Sequence, residues 1–203
     1  MKQIILLILA LLAASFLYGA VGCDLNDPAK DIKRFFPDHT GYKTYYRSIQ
    51  RDGGKALLTK VETRLGDKFT GLFETIDVPY TIYEVFKGDK LIGYVHGVNQ
   101  KGRYGGIQVF LVLSERGIIT QLYFQRLSSR NGNLFKARTF TSQFAGLSVK
   151  DFDTFDIVNM KGTGKVTTIK NPAPDNDPDF AAIMRGIKKN LVLMEHFGRW
   201  GSL

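Results

Sequence analysis

Residues 161 to 169 read KGTGKVTTI, which places two glycines, three threonine hydroxyls and two ammonium groups within nine positions. Backbone N–H groups in a glycine-rich bend, flanked by fixed positive charge, can cradle a phosphate. Two more stretches have the same character, KGRYGG at 101–106 and SSRNGN at 128–133. Taken singly, each is a tight turn, since glycine is the default wherever φ must be positive. Taken together, and bordered by Arg103, Arg130, Lys136, Lys161 and Lys165, they could wrap one phosphorylated ligand.

Other chemistries find less support. His39, His96 and His196 are far apart, none stands four residues from another, and carboxylates do not cluster beside them, so each reads as a surface or packing histidine rather than a metal ligand. No G-x-S-x-G elbow is present for a serine nucleophile. Acid–base pairs of carboxylates cannot be assigned from spacing.

The elements that must position these bends follow from periodicity. Leu57, Leu58, Val61 and Leu65 recur at helical spacing, and Gly66 ends a predicted helix over 55–65. TIYEVF and LIGYVHGV flank a Gly88-Asp89 turn, and IQVFLVL at 107–113 and IITQLYFQR at 118–126 continue a meander. The unbroken apolar run at 107–113 predicts a strand covered on both faces. Phe135, Phe140 and Phe144 predict a helix over 134–145. A last helix over 178–196 starts with Asp177 as N-cap and Pro178 in its first turn, with Phe180, Ile183, Met184, Ile187, Leu191 and Met194 on one stripe. Arg185, Lys188 and Lys189 lie off that stripe and read as a solvated face, or secondly as a lipid-facing one. The fold class is α+β, a twisted antiparallel sheet of four to six strands with packed helices.

The N-terminus has the layout of an export signal. MKQIILLILALLAASFLYGAVG carries one charge, Lys2, then an apolar stretch too short to span a bilayer, then small residues. Ala20-Val21-Gly22-Cys23 resembles the lipobox of bacterial lipoproteins, which implies lipid attachment at Cys23, the only cysteine, with Ala20 where Leu is usual. The domain order is then a signal peptide at 1–22, a lipidated polar tether at 23–34 and a folded domain at 35–203. With Cys23 acylated, neither a disulfide nor a thiolate site remains. Two or more acyl chains suffice for stable anchoring, and Asp24 resembles the signal that retains such lipoproteins at the inner membrane of cells with two membranes. The expected location is therefore the outer face of the cytoplasmic membrane, in the periplasm where one exists. Without residues 1–22 the net charge is +8, which suits anionic lipid or an acidic ligand, and a nucleic acid partner is not expected.

The run GDKLIGYVHGVNQKGRYGGIQVFLVLSERGIITQLYFQRLSSRNGNLFKARTFTSQFAGLS is similar to the FMN-binding domain found in flavoprotein subunits of the sodium-translocating quinone reductase and of Rnf-type electron-transport complexes. The residues that carry the resemblance are Gly93-Tyr94, Tyr104-Gly105-Gly106, Gly117-Ile118-Ile119, Asn131-Gly132-Asn133-Leu134 and Gln143-Phe144-Ala145-Gly146. It extends in order of elements over roughly 35–195 and is densest over 88–148. In that family a loop before the final helix reads S-G-A-T-x-T-S, and its first threonine can be esterified to the FMN phosphate by a flavin transferase. The same span here is Thr163-Gly164-Lys165-Val166-Thr167-Thr168-Ile169, so Val166, which has no hydroxyl, holds the acceptor's place.

The resemblance implies FMN held without a covalent bond, or lost. It places Thr163, Gly164, Lys165, Thr167 and Thr168 at the phosphate. Arg130 would lie near the N1–C2 edge of the ring, with Asn131, Gly132 and Leu134 against the isoalloxazine. It further implies a redox carrier or accessory subunit beside a membrane respiratory complex rather than a stand-alone enzyme. The alternative is a flavin-free interaction or assembly lipoprotein of the same fold, and a third reading, an anionic-lipid or polysaccharide binder, draws only on the charge.

Overall fold

The computed structural model describes residues 22–198, so the expected signal segment up to residue 21 lies outside the described residues. Five antiparallel strands run in sequential order: β1 (Gly41–Arg47), β2 (Tyr80–Lys87), β3 (Lys90–Lys101), β4 (Gly106–Leu113) and β5 (Ile119–Leu127). β2 and β3 turn at Gly88-Asp89 and pair Lys87 with Lys90, and β4 pairs Val95 with Val112 and Phe110 with Tyr123. β4 is covered on both faces, as its apolar run predicts. Ile107, Val109, Leu111 and Leu113 face one hydrophobic cluster, while Phe110 and Val112 face another on the opposite side. The fold is α+β.

The helices are α1 (Pro28–Phe35), α2 (Ile49–Asp52), α3 (Gly54–Leu65), α4 (Gly132–Lys136), α5 (Arg138–Thr141) and α6 (Asp177–Phe197). α6 crosses the larger core cluster and buries Ile183, Met184, Ile187, Leu191 and Met194 along the expected stripe. Gly186 lets it settle onto the sheet, because a Cβ there would stand 3.0 Å from Val109 Cγ2. The helix expected over 134–145 is broken at Ala137, whose ψ of 142° is extended. The reason lies in the ring spacing: positions 135 and 140 of one straight helix point about 140° apart. With the break, Phe135, Phe140 and Phe144 are all buried and make successive edge contacts at centroid distances of 5.4 and 5.2 Å.

Two expectations are corrected. Residues 23–34 do not form an extended tether, because Cys23, Leu25, Ile32 and Phe35 are buried against Tyr83, Val85, Val95 and Phe110 on the second face of the sheet. Asp27 caps α1 by accepting from Lys30 N at 3.1 Å. Gly22 to Asn26 is strapped to three strands: Asn99 Nδ2 donates to Gly22 O, Thr81 Oγ1 to Asp24 Oδ1, Leu25 N to Tyr83 Oη and Asn26 N to Gln125 Oε1.

Lys188 and Lys189, expected on a solvated face, are buried, and Arg185 is half-buried. Their surroundings explain it. Lys189 Nζ donates to Glu74 Oε1 at 2.8 Å and to Asn99 O at 2.6 Å, and Arg185 Nη1 donates to the same Glu74 oxygen at 2.5 Å. Burial alone would raise the Glu74 carboxyl, but the bonds from Arg185 and the charge of Lys189 bring it below its ordinary value. Burial pushes the Lys189 ammonium down to about 8.

At the next residue, Asn190 Nδ2 donates to His96 O and Val109 O, so its Oδ1 must accept from His96 Nδ1 at 2.8 Å. His96 is thereby fixed as the Nδ1–H tautomer, and its buried Nε2 has no hydrogen-bond partner among the described residues. Burial pushes the imidazole down to about 4. The native state therefore refuses a proton that the unfolded chain accepts near its ordinary value of 6.5, and stability falls as pH drops through that window toward 4. Urea midpoints between pH 7.5 and 5 are expected to fall for the wild type and to fall less steeply for His96→Gln. The slope that remains would include His196, whose pKa desolvation also lowers.

Candidate functional site

The three glycine-rich bends gather around the start of α6, on two of its flanks. On one flank, Asp179 is fully buried and its Oδ1 accepts from Arg103 N at 2.8 Å, which fixes the KGRYGG bend to the helix's first turn. Asn176 Nδ2 donates to Asp179 Oδ2 at 2.8 Å and reaches Ser129 Oγ at 3.1 Å and Asn131 Oδ1 at 3.2 Å, which brings in the SSRNGN bend. The guanidinium groups of Arg103 and Arg130 lie 5.7 and 4.9 Å from the ring centroid of the exposed Tyr104. Neither arginine has an ion-pair partner among the described residues. Gly132 opens α4 behind this bend, and Leu134 is exposed.

The third bend lies on the other flank. Two short strands, β6 (Phe155–Asp156) and β7 (Lys161–Gly162), form a hairpin, and Gly164, at φ 84°, turns the chain into a single helical turn over Lys165–Thr168. Under it is a cleft of about 530 Å³. Phe155, Met160, Val166, Ile169, Phe180 and Met184 line it with apolar surface, and Lys161, Thr167 and Asn171 supply its polar groups. Asp177 also borders it, with Oδ1 accepting from Asn171 Nδ2 at 2.8 Å.

The predicted residues are therefore distributed as follows. Thr163, Gly164, Lys165, Thr167 and Thr168 are exposed on one loop, and Thr167 borders the cleft. The hydroxyls of Thr167 and Thr168 donate to Gly164 O and Lys165 O at 2.7 and 2.8 Å and close the turn on itself. Lys165 Nζ stands 3.9 Å from Asp151. Arg130, Asn131, Gly132 and Leu134 do not line the 530 Å³ cleft. Val166 is 1 % exposed and belongs to the main core cluster, so a side chain at that position points inward.

Sequence reasoning missed Asn176 and Asp179, the residues that tie two bends to α6. The only signal they offer is a pair of polar side chains in the first turn of an amphipathic helix, which ordinarily reads as capping. Among the described residues, no group of three His, Cys, Asp or Glu side chains is placed to hold a metal ion, and no helix is long and apolar enough to cross a membrane.

No protein-family model matches the chain, and no curated protein sequence matches it.

Val166 is buried among apolar neighbours, so a hydroxyl restored there is taken out of water. Val166→Thr is expected to lose about 1–3 kcal/mol of stability in denaturant titration. It is also expected to stay unmodified in intact-mass measurement after co-expression with a flavin transferase.

Proposed function

We propose that this protein is a membrane-anchored FMN-binding electron-transfer protein, or an accessory subunit of a respiratory membrane complex, that holds its flavin without a covalent bond. The observation that carries the reading is the 530 Å³ cleft closed by the Lys161–Thr168 loop. Its apolar lining suits a flat aromatic ring, and the Lys161 ammonium at the mouth suits a phosphate. The resemblance over 88–148 supplies the identity of the ligand. FMN, when bound, supplies one- and two-electron chemistry.

The chain's own residues then do the remaining work. With FMN held there, Phe155, Phe180 and Met184 would exclude water, Lys161 would neutralise the phosphate charge, and Thr167 and Asn171 would be the polar groups of the cleft open to the ligand. Val166 borders this cleft but has no hydroxyl to esterify, which is the reason for assigning a non-covalent ligand. A second reading, a flavin-free interaction lipoprotein of the same fold, is favoured by one specific observation. The Arg130–Leu134 segment stands apart from the cleft it would have to border if it met the ring.

The two readings separate on one experiment. The full chain, produced together with a flavin transferase and purified from membranes, is expected to carry FMN or to take it up with quenching of flavin fluorescence. Lys161→Met is expected to weaken uptake about 10-fold, the equivalent of one charge-assisted bond. A colourless protein that takes up no added FMN leaves the flavin-free reading.

The anchor is part of the same proposal, and the fold places a condition on it. Cys23 is 2 % exposed, and burial pushes its thiol up to about 12. Acylation at Sγ therefore requires residues 22–26 to leave the sheet. Metabolic labelling with a fatty-acid probe is expected to mark the wild type in the membrane fraction and to leave Cys23→Ser unmarked and released. An unmarked wild type would remove the anchor from the reading.

A further inference from the structure

A larger cleft lies elsewhere, between α3 and the C-terminal half of α6, and holds about 900 Å³. Its walls carry Lys60 and Arg64 from α3, Lys188, Glu195 and His196 from α6, and Asp153 and Asp156 from the segment leading into and through β6. The charges are not equally free. Arg64 is ion-paired, donating to both oxygens of Glu195 at 2.9 and 3.2 Å and to Asp153. Asp156 is consumed by its own turn, accepting from Val158 N, Asn159 N and Asn159 Nδ2 at 2.9, 3.0 and 2.7 Å.

The formal charges of the lining balance, and the two cations left without a salt bridge are Lys60 and Lys188. Lys60 is exposed and has no ion-pair partner among the described residues. Lys188 is 5 % exposed, and its Nζ donates once, to Phe155 O at 3.2 Å. Two of its three donors are unused, and no carboxylate lies within ion-pair distance of it among the described residues. A buried ammonium satisfied by a single backbone carbonyl is costly unless an anion completes its shell. Desolvation lowers its pKa, as that incomplete shell requires.

We infer that this cleft is a binding site for a small oxyanion-bearing molecule, a carboxylate or a phosphate, held by Lys188 from the floor and Lys60 from the rim. The Arg64–Glu195–Asp153 cluster, one guanidinium shared by two carboxylates, forms an ion-paired wall that links α3 to α6, and the spare donors of Lys188 are left for the ligand's charge. The site lies on the far side of Phe155 from the flavin cleft and makes no use of FMN, so its test stands whether or not flavin binds.

The test is thermal unfolding of the full chain with chloride replaced by inorganic phosphate or by malonate at constant ionic strength. At ten times its dissociation constant, a ligand of the native state raises the midpoint by about 3–6 °C and the rise saturates. Phosphate alone, malonate alone or both saturating identifies the oxyanion. The saturable rise is expected to vanish in Lys188→Met and to persist in Lys90→Met, an exposed lysine that lines neither cleft. Should Lys188→Met not fold, the exposed Lys60→Met carries the comparison, with an apparent dissociation constant about 10-fold higher. A rise that stays linear with both anions, as expected of salt exclusion alone, overturns the assignment. So does a saturable rise that Lys60→Met and Lys188→Met leave unchanged.

Discussion

The packing of α6 on the sheet depends on one shared carboxylate. Glu74, on the irregular segment before β2, accepts from Lys189 and Arg185 of α6, and Lys189 also donates to the Asn99 carbonyl of β3. Removing one partner from such a buried set typically costs about 3–5 kcal/mol, because the other charge is left without compensation. Helix, strand and loop are thereby held in one register. Arg185 extends the set outward to Asp67 and to the Lys68 carbonyl, so the segment from 67 to 74 is fixed as well. An apolar α6 could slide along the sheet by a turn at little cost. This one cannot without stranding Lys189.

Fixing the register of α6 fixes what its two ends present. At the start, Asn176 and Asp179 sit where the bends after β3 and β5 arrive, and the Asn176 amide nitrogen and the Asp179 carboxylate are spent on drawing the bends together. At the far end, Lys188 and Glu195 face α3 across the larger cleft. The sheet contributes the same rigidity from below. Asn190 binds the carbonyls of His96 and Val109 on adjacent strands, so the helix is hydrogen-bonded to the sheet in its middle, where apolar contact alone is the usual bond.

The fold was legible in the sequence where burial is written into a short run. β2 to β5 follow from alternating or continuous apolar residues, and the stripe of α6 from its spacing. β1 was not legible, because an edge strand with mostly exposed residues, GYKTYYR, carries no alternation. Neither was the burial of Lys188 and Lys189. Lysines off an apolar stripe read as solvated, and Glu74, which makes room for Lys189, lies 115 positions away. The bends of the candidate site were legible as glycine-rich turns at strand ends. Their grouping was not, because it rests on contacts such as Asn176 to Asn131 and Asp179 to Arg103, separated by 45 and 76 positions.

The hairpin of β6 and β7 is shared by the two clefts. Phe155 lines both, pairs with Gly162 in the two-stranded ladder, and gives its carbonyl to Lys188. Gly162 leads directly into Thr163 to Thr168, and Thr163 N donates back to Thr154 O while Thr154 Oγ1 donates to Thr163 O. The loop over the smaller cleft is thus tied to a strand whose position is set by an amine in the larger one. Moving that amine toward an anion would lengthen its bond to Phe155, and the displacement would pass through two residues of ladder to the loop. The short span matters, because a two-residue ladder has little packing of its own to absorb a shift, whereas the five-stranded sheet beneath is held on both faces.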